Sequence, residues 1–266
     1  TYVVMIEGRV WDAAARDYRF ALHRATTAAT AIALDGNVEQ PSLLRPGKIG
    51  NALSMTTHEQ ILVDDPALDL REDLTIEFWL NPERMTDSWT PLIYKGEGTD
   101  GRGYTLWYNS SGYVHLSSYR GTANDTLETA SGSVPQGQWT HVAAVIERST
   151  GQMRIYLNGV LVASRTNVPT APHNGSAASP LYIGTGPEQN DSYQKLEGAI
   201  DELRIWDHGR SAEEILSGMD GVPSDTGGLV LRMDFDAIAG GTVRNQVSGA
   251  DVPVLRDLAG PDGAIE

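Results

Sequence analysis

Seven side chains stand where their chemistry suits contact with a ligand: Glu97, Asp100, Arg102, Trp107, His115, Arg154 and Tyr156. The first three lie in a glycine-rich loop, residues 95–103, reading Lys-Gly-Glu-Gly-Thr-Asp-Gly-Arg-Gly. Its glycines permit backbone angles closed to other residues and leave the charged tips free for a ligand or a cation. The bland alternative is a hairpin connection. A nucleotide loop is excluded, because the Gly-Lys-Ser/Thr ending and the following helix are missing. Trp107, His115, Arg154 and Tyr156 sit on strand-like segments, as do Glu77, Trp79, Glu202, Arg204 and Trp206. Alternation turns all of them away from the apolar positions. Gathered on one sheet, they would form an aromatic, charged surface that stacks on sugar C–H faces and bonds hydroxyls. Divided between two sheets, many would be packing residues.

Asp201 raises a different question. In Ile200-Asp-Glu-Leu-Arg-Ile205, strict alternation places it with Leu203 and Ile205 on the core face. A carboxylate there must be paired, hydrogen-bonded or bound to a metal. Calcium takes several oxygen ligands, but backbone amides or an arginine would serve equally. Catalytic patterns are missing. No Glu is followed two residues later by Asp, so no strand carries the Glu-x-Asp-x-x-Glu cluster of carboxylates that serves glycoside hydrolysis. The six histidines show no metal spacing such as His-Glu-x-x-His, and there is no Gly-x-Ser-x-Gly elbow. With no cysteine there is neither a disulfide nor thiol chemistry. The expectation is a protein without enzymatic activity.

The elements that must position these residues are strands. Residues 139–164 hold an apolar run, a polar turn and an Asn158-Gly159 pair joining two further runs. Asn-Gly is preferred in type I′ turns because both central residues need positive φ. Ile76, Phe78 and Leu80 alternate with Glu77 and Trp79, and Tyr104, Leu106 and Tyr108 alternate with Thr105 and Trp107. Val114 and Leu116 face in, with His115 outward. One helix is expected after Ser211, where Ser211-Ala-Glu-Glu214 makes a capping box and Ile215 and Leu216 would dock. Many short strands and one short C-terminal helix predict an all-β, two-sheet antiparallel jelly-roll sandwich.

The chain has 266 residues, enough for a sizeable core. Its net charge of −15, with no long Lys/Arg cluster, argues against nucleic acid as a partner. No apolar run nears ~20 residues, so membrane insertion is not expected. The first residues lack the basic start and cleavage site of a secretory leader. The chain therefore reads as part of a longer polypeptide with neighbouring domains.

Several segments, in order, resemble a laminin-G-like jelly roll of the concanavalin A-like superfamily. They are residues 46–54 (PGKIGNALS), 74–82 (LTIEFWLNP), 138–142 (QWTHV), 156–159 (YLNG) and 198–206 (GAIDELRIW), followed by 210–215 (RSAEEI). The resemblance covers about residues 35–219. Residues 1–34 would then be an N-terminal extension packing on the sandwich. Residues 220–266 would be a C-terminal extension that adds closing strands or begins a second copy. The resemblance implies a recognition module of a secreted or cell-surface protein, with a glycan or protein ligand. It also implies a structural Ca²⁺ held by Asp201, with Asp35 as the nearest partner from the N-terminal segment. The alternative is a spacer or protein-interaction domain beside an adhesin, toxin or enzyme. A diverged glycoside hydrolase or lyase ranks last because the carboxylate cluster is missing.

Overall fold

Asn158 and Gly159 take φ angles of 50° and 77°, and the chain reverses through them in two residues. The computed structural model describes residues 5–12, 17–23, 43–56, 59–84, 89–97, 101–119, 123–173, 179–187 and 195–256. By its internal contacts the chain divides into Thr1–Gln40 and Pro41–Glu266. In the first unit, β1 (Met5–Asp12) and β2 (Asp17–His23) pair antiparallel.

The second unit contains β3 (Leu44–Pro46), β4 (Asn51–Thr56), β5 (Glu59–Val63), β6 (Leu74–Arg84), β7 (Trp89–Glu97) and β8 (Gly101–Asn109). It continues with β9 (Tyr113–Tyr119), β10 (Asn124–Glu128), β11 (Thr140–Glu147), β12 (Gln152–Leu157), β13 (Val160–Thr166) and β14 (Leu181–Ile183). Last come β15 (Glu197–Trp206), α1 (Ala212–Gly218), β16 (Leu229–Met233), β17 (Thr242–Arg244) and β18 (Asp251–Arg256). One sheet has the order β10-β9-β8-β7-β14-β5-β18-β17. The other runs β13-β12-β11-β6-β15-β4-β3, with β16 also paired to β15. All these pairings are antiparallel, so the fold is a two-sheet β-sandwich. Strands from beyond α1 enter both sheets, since β16 pairs β15 and β18 pairs β5.

The core follows the alternation. Ile76, Phe78 and Leu80 of β6, Leu106 of β8, Val114 and Leu116 of β9 and Val142 of β11 are fully buried in one cluster. Each large apolar side chain so buried contributes roughly 1.5–3 kcal/mol. Tyr104 and Tyr108 also lie in the core, and their hydroxyls donate to the carbonyls of Leu68 and Val134. Helix α1 begins at the expected capping box, with Ser211 and Glu214 bonded reciprocally. Ile215 is buried, but Leu216 is 54% exposed, so only one of the two docks.

The face of Asp201 differs from expectation. Register shifts between Asp201 and Arg204, and Glu202 takes a φ of 51°. Such a bulge adds one residue and resets the alternation. Ile200, Leu203 and Ile205 all enter the core, whereas Asp201 stands opposite Trp79, on the outward face.

Candidate ligand-binding site

The central strands of the first sheet leave an aromatic row on their outward face. Trp107 of β8 lies opposite His115 of β9, and His115 opposite Glu128 of β10. On the other side, Tyr94 of β7 lies opposite Tyr182 of β14. Trp89, at the start of β7, packs edge-on against Trp107, His115 and Tyr113 at centroid distances of 6.5, 5.4 and 5.8 Å. Tyr94 meets Trp107 in the same edge-on fashion at 5.7 Å. Edge-to-face packing satisfies the ring quadrupoles and holds each ring in one attitude.

Polar contacts hold the row from below. The Trp107 indole donates to Thr105 Oγ1 at 2.8 Å, and that hydroxyl meets Ser117 Oγ at 2.7 Å. His115 Nδ1 lies 2.7 Å from Glu128 Oε1, which fixes its ring plane. The Arg102 guanidinium lies 5.2 Å from the Trp107 centroid and 5.9 Å from that of Tyr94. Its Nε donates to the Tyr94 hydroxyl at 3.3 Å. Trp89, Arg102, Trp107 and His115 line an open pocket of about 180 Å³. That is smaller than the roughly 300–1,000 Å³ of a drug-sized site, and matches one or two small rings. It offers ring faces, a guanidinium and an imidazole. Among the described residues it lacks the pair of carboxylates that glycoside hydrolysis uses.

Three of the seven expected contacts therefore meet here: Arg102, Trp107 and His115. Arg154 and Tyr156 do not join them, because β12 belongs to the other sheet. Arg154 is bonded to Glu147 at 2.5 Å. Tyr156 is 3% exposed and packs on Ala143, Val145 and Ile215. Asp100 and the side chain of Glu97 lie outside the described residues. Trp89 was missed from sequence. Its signal is an indole just ahead of the apolar run 91–94, where the strand begins earlier than alternation shows.

The outward face of the second sheet is covered. Helix α1 and the chain after it close over Glu77, Arg204, Trp206 and Arg210. Arg210 Nη1 donates to Glu77 Oε1 at 2.5 Å, as does the Trp206 indole at 3.0 Å. Arg204 donates to Glu202 at 2.6 Å and to the carbonyls of Gly218 and Gly221. Burial pushes the Glu77 carboxyl upward against the pull of Arg210 and Arg204. His141, packed edge-on to Trp79 at 5.2 Å, is pulled down to about 3 by burial and those arginines. It is a neutral packing residue.

Asp201 sits beneath the turn that joins β3 to β4. Its Oδ2 accepts the Ile49 amide at 2.9 Å, and Oδ1 is buried with no partner among the described residues. Burial pushes its pKa up to about 7, against the pull of the Ile49 amide. A carboxylate so placed offers one anionic ligand to a cation. Asp236 meets the same turn, accepting the Asn51 amide at 2.9 Å. Gly50 must stay glycine there, because its φ is 58° and a Cβ would lie 1.9 Å from Asp236 Oδ1. No three His, Cys, Asp or Glu side chains gather among the described residues. Most of the roughly six to eight oxygens of a Ca²⁺ site would then be backbone carbonyls. Asp35 lies outside the described residues.

Comparison with known proteins decides the family. The Laminin_G_3 model, described as the concanavalin A-like lectin/glucanases superfamily, matches residues 55–216. The chain belongs to this superfamily. Among curated proteins it is similar to the rat sushi, von Willebrand factor type A, EGF and pentraxin domain-containing protein 1. That match is 24% identical and covers 71% of this chain but only 5% of the rat protein. Among solved structures, a Bacteroides ovatus protein assigned to carbohydrate binding superposes with a TM-score of 0.57 and 22% identity. It covers 79% of this chain and 59% of that one. The CBM40 of a Ruminococcus gnavus sialidase, solved with α2,3-sialyllactose bound, gives a TM-score of 0.55 at 16% identity. It covers 62% of this chain and 95% of that domain. No helix among the described residues is long and apolar enough to cross a membrane.

Proposed function

We propose that this chain is a non-catalytic carbohydrate-recognition module, and that it binds its sugar in the pocket of Trp89, Arg102, Trp107 and His115. The observation that carries this reading is an outward face whose rings are held edge-on to one another around an open pocket. Sugars present a C–H face that stacks on such rings and hydroxyls that bond to a guanidinium or imidazole. The use of the same scaffold by the Ruminococcus domain for a bound saccharide supports the reading. Calorimetric titration with a panel of saccharides tests it. At least one sugar is expected to bind, and Trp89→Ala to weaken it about tenfold or more. Binding of no sugar, or equal binding by the variant, contradicts it.

A structural Ca²⁺ at Asp201 and a secreted or cell-surface setting beside neighbouring domains belong to the same proposal. The orphaned Asp201 Oδ1 supports the ion. A cation bound by the native state alone raises the melting temperature, so EGTA is expected to lower it. An unchanged melt removes the ion from the account. A second reading, a domain that packs on a protein neighbour, is favoured by one observation. Val160, Leu161 and Val162 of edge strand β13 are 62, 49 and 45% exposed, and Leu216 is exposed too. Deletion of neighbouring domains would then change the protease sensitivity of β13.

A further inference from the structure

We propose that the saccharide taken by this pocket carries a carboxylate, and that Arg102 is the residue that pairs with it. This inference rests on the carbohydrate reading of the same pocket and adds the chemical class of the sugar.

Arg102 differs from the other arginines of the chain. Every other arginine with a described side chain has a carboxylate oxygen at 3.6 Å or closer. Among the described residues, the partners of Arg102 are one phenol and two aromatic rings, with no acid. In a chain of net charge −15, with acids available everywhere, that is an unusual position for a guanidinium. It is also half-buried in the wall of the pocket. The two rings and the Tyr94 hydroxyl hold the guanidinium in place while consuming only its Nε donor. Its terminal nitrogens keep the planar fork that matches a carboxylate with two parallel bonds. A neutral sugar entering the pocket would strip water from this cation and return no charge. A carboxylate returns both charge and geometry. The other basic group, His115, is already turned to Glu128 at 2.7 Å. The pocket therefore has one position for an anion.

Calorimetric titration of the full chain with matched saccharides tests this. One pair is digalacturonate and its methyl ester, alike in shape and different in charge. A second is sialyllactose and lactose, and sulfated lactose supplies a sulfated arm free of carboxylate. In at least one pair the acid form is expected to bind at least about tenfold more tightly than its neutral partner. That advantage should shrink with added salt, vanish in Arg102→Gln, and persist in part in Arg102→Lys, which keeps the charge and loses the fork. Trp89→Ala should weaken acid and neutral forms alike. Equal binding of acid and neutral partners, unmoved by Arg102→Gln, overturns the acidic-sugar inference and leaves the carbohydrate reading standing. Binding of sulfated lactose, which has no carboxylate, in place of every carboxylated sugar overturns the choice of carboxylate. Binding of none overturns the carbohydrate reading and this inference with it. Melting curves of both Arg102 variants that coincide with the parent exclude misfolding as the cause.

Discussion

Trp206 and Trp107 each stand on an outward sheet face beside an arginine. Next to Trp206, Arg210 lies 4.1 Å from the ring and is bonded to the buried Glu77. Next to Trp107, Arg102 lies 5.2 Å from the ring and has no acid partner among the described residues. The residue types agree and the surroundings differ. Over the second sheet, α1 and the chain following it supply carbonyls and exclude water, so the charges become part of the scaffold. Over the first sheet Trp107 is itself 4% exposed, but Trp89, His115 and Arg102 beside it stay partly exposed around the pocket. A buried, densely bonded network specifies the fold, whereas a partly exposed, pre-ordered cluster is available to a ligand.

The largest effect should come from breaking the covered face. Removing Arg210 leaves the buried Glu77 with only the Trp206 indole at 3.0 Å and Arg204 at 3.8 Å, and loss of one partner of a buried pair costs about 3–5 kcal/mol. Urea unfolding of Arg210→Ala should show a loss of that size, and Arg102→Ala a change within about 0.5 kcal/mol. Similar losses in both variants would erase the distinction between the faces.

The next effect is a pH dependence belonging to the covered face. His141 is pulled down to about 3 in the folded chain, from an ordinary value near 6.5. Between those values the unfolded chain holds more protons on this group than the folded one. Stability from His141 is therefore complete above about pH 6.5 and is lost as the pH falls through this window. The slope reaches ~1.4 kcal/mol per pH unit. Stability curves measured from pH 7 to pH 4 should fall less steeply in His141→Gln than in the parent. Parallel curves would mean that the imidazole is not buried as described.

The legible part of this fold was local. The Asn158-Gly159 turn, the alternation of β6 and β8 and the Ser211 capping box follow from nearest-neighbour chemistry, and all are present. The order of the family segments also gave the sandwich. Arg154 and Tyr156 were grouped with Trp107 because alternation reports which way a side chain faces, and not which sheet its strand joins. Sheet membership depends on pairings such as Val142 with Phe78, far apart in sequence. Asp201 was placed on the wrong face because one bulge residue, Glu202, breaks a period that sequence reading takes as continuous. Trp89 was missed because Pro91 and a register shift beside it interrupt the alternation of β7.

A small stability effect at Trp89 also separates this face from the covered one. Trp89 is half-exposed and donates no hydrogen bond among the described residues, so Trp89→Ala should cost no more than about 1 kcal/mol in urea unfolding. A loss comparable to that of Arg210→Ala would make Trp89 a core residue and not part of a ligand surface.

The central claim is that the two faces differ in access to sugar, and the indole N–H resonances of the tryptophans report on each face separately. Titrating the ¹⁵N-labelled chain with a binding saccharide should shift the indole signals of Trp89 and Trp107 and leave those of Trp79 and Trp206 in place. Shifts confined to Trp79 and Trp206, or no indole shift while binding is seen calorimetrically, would contradict it.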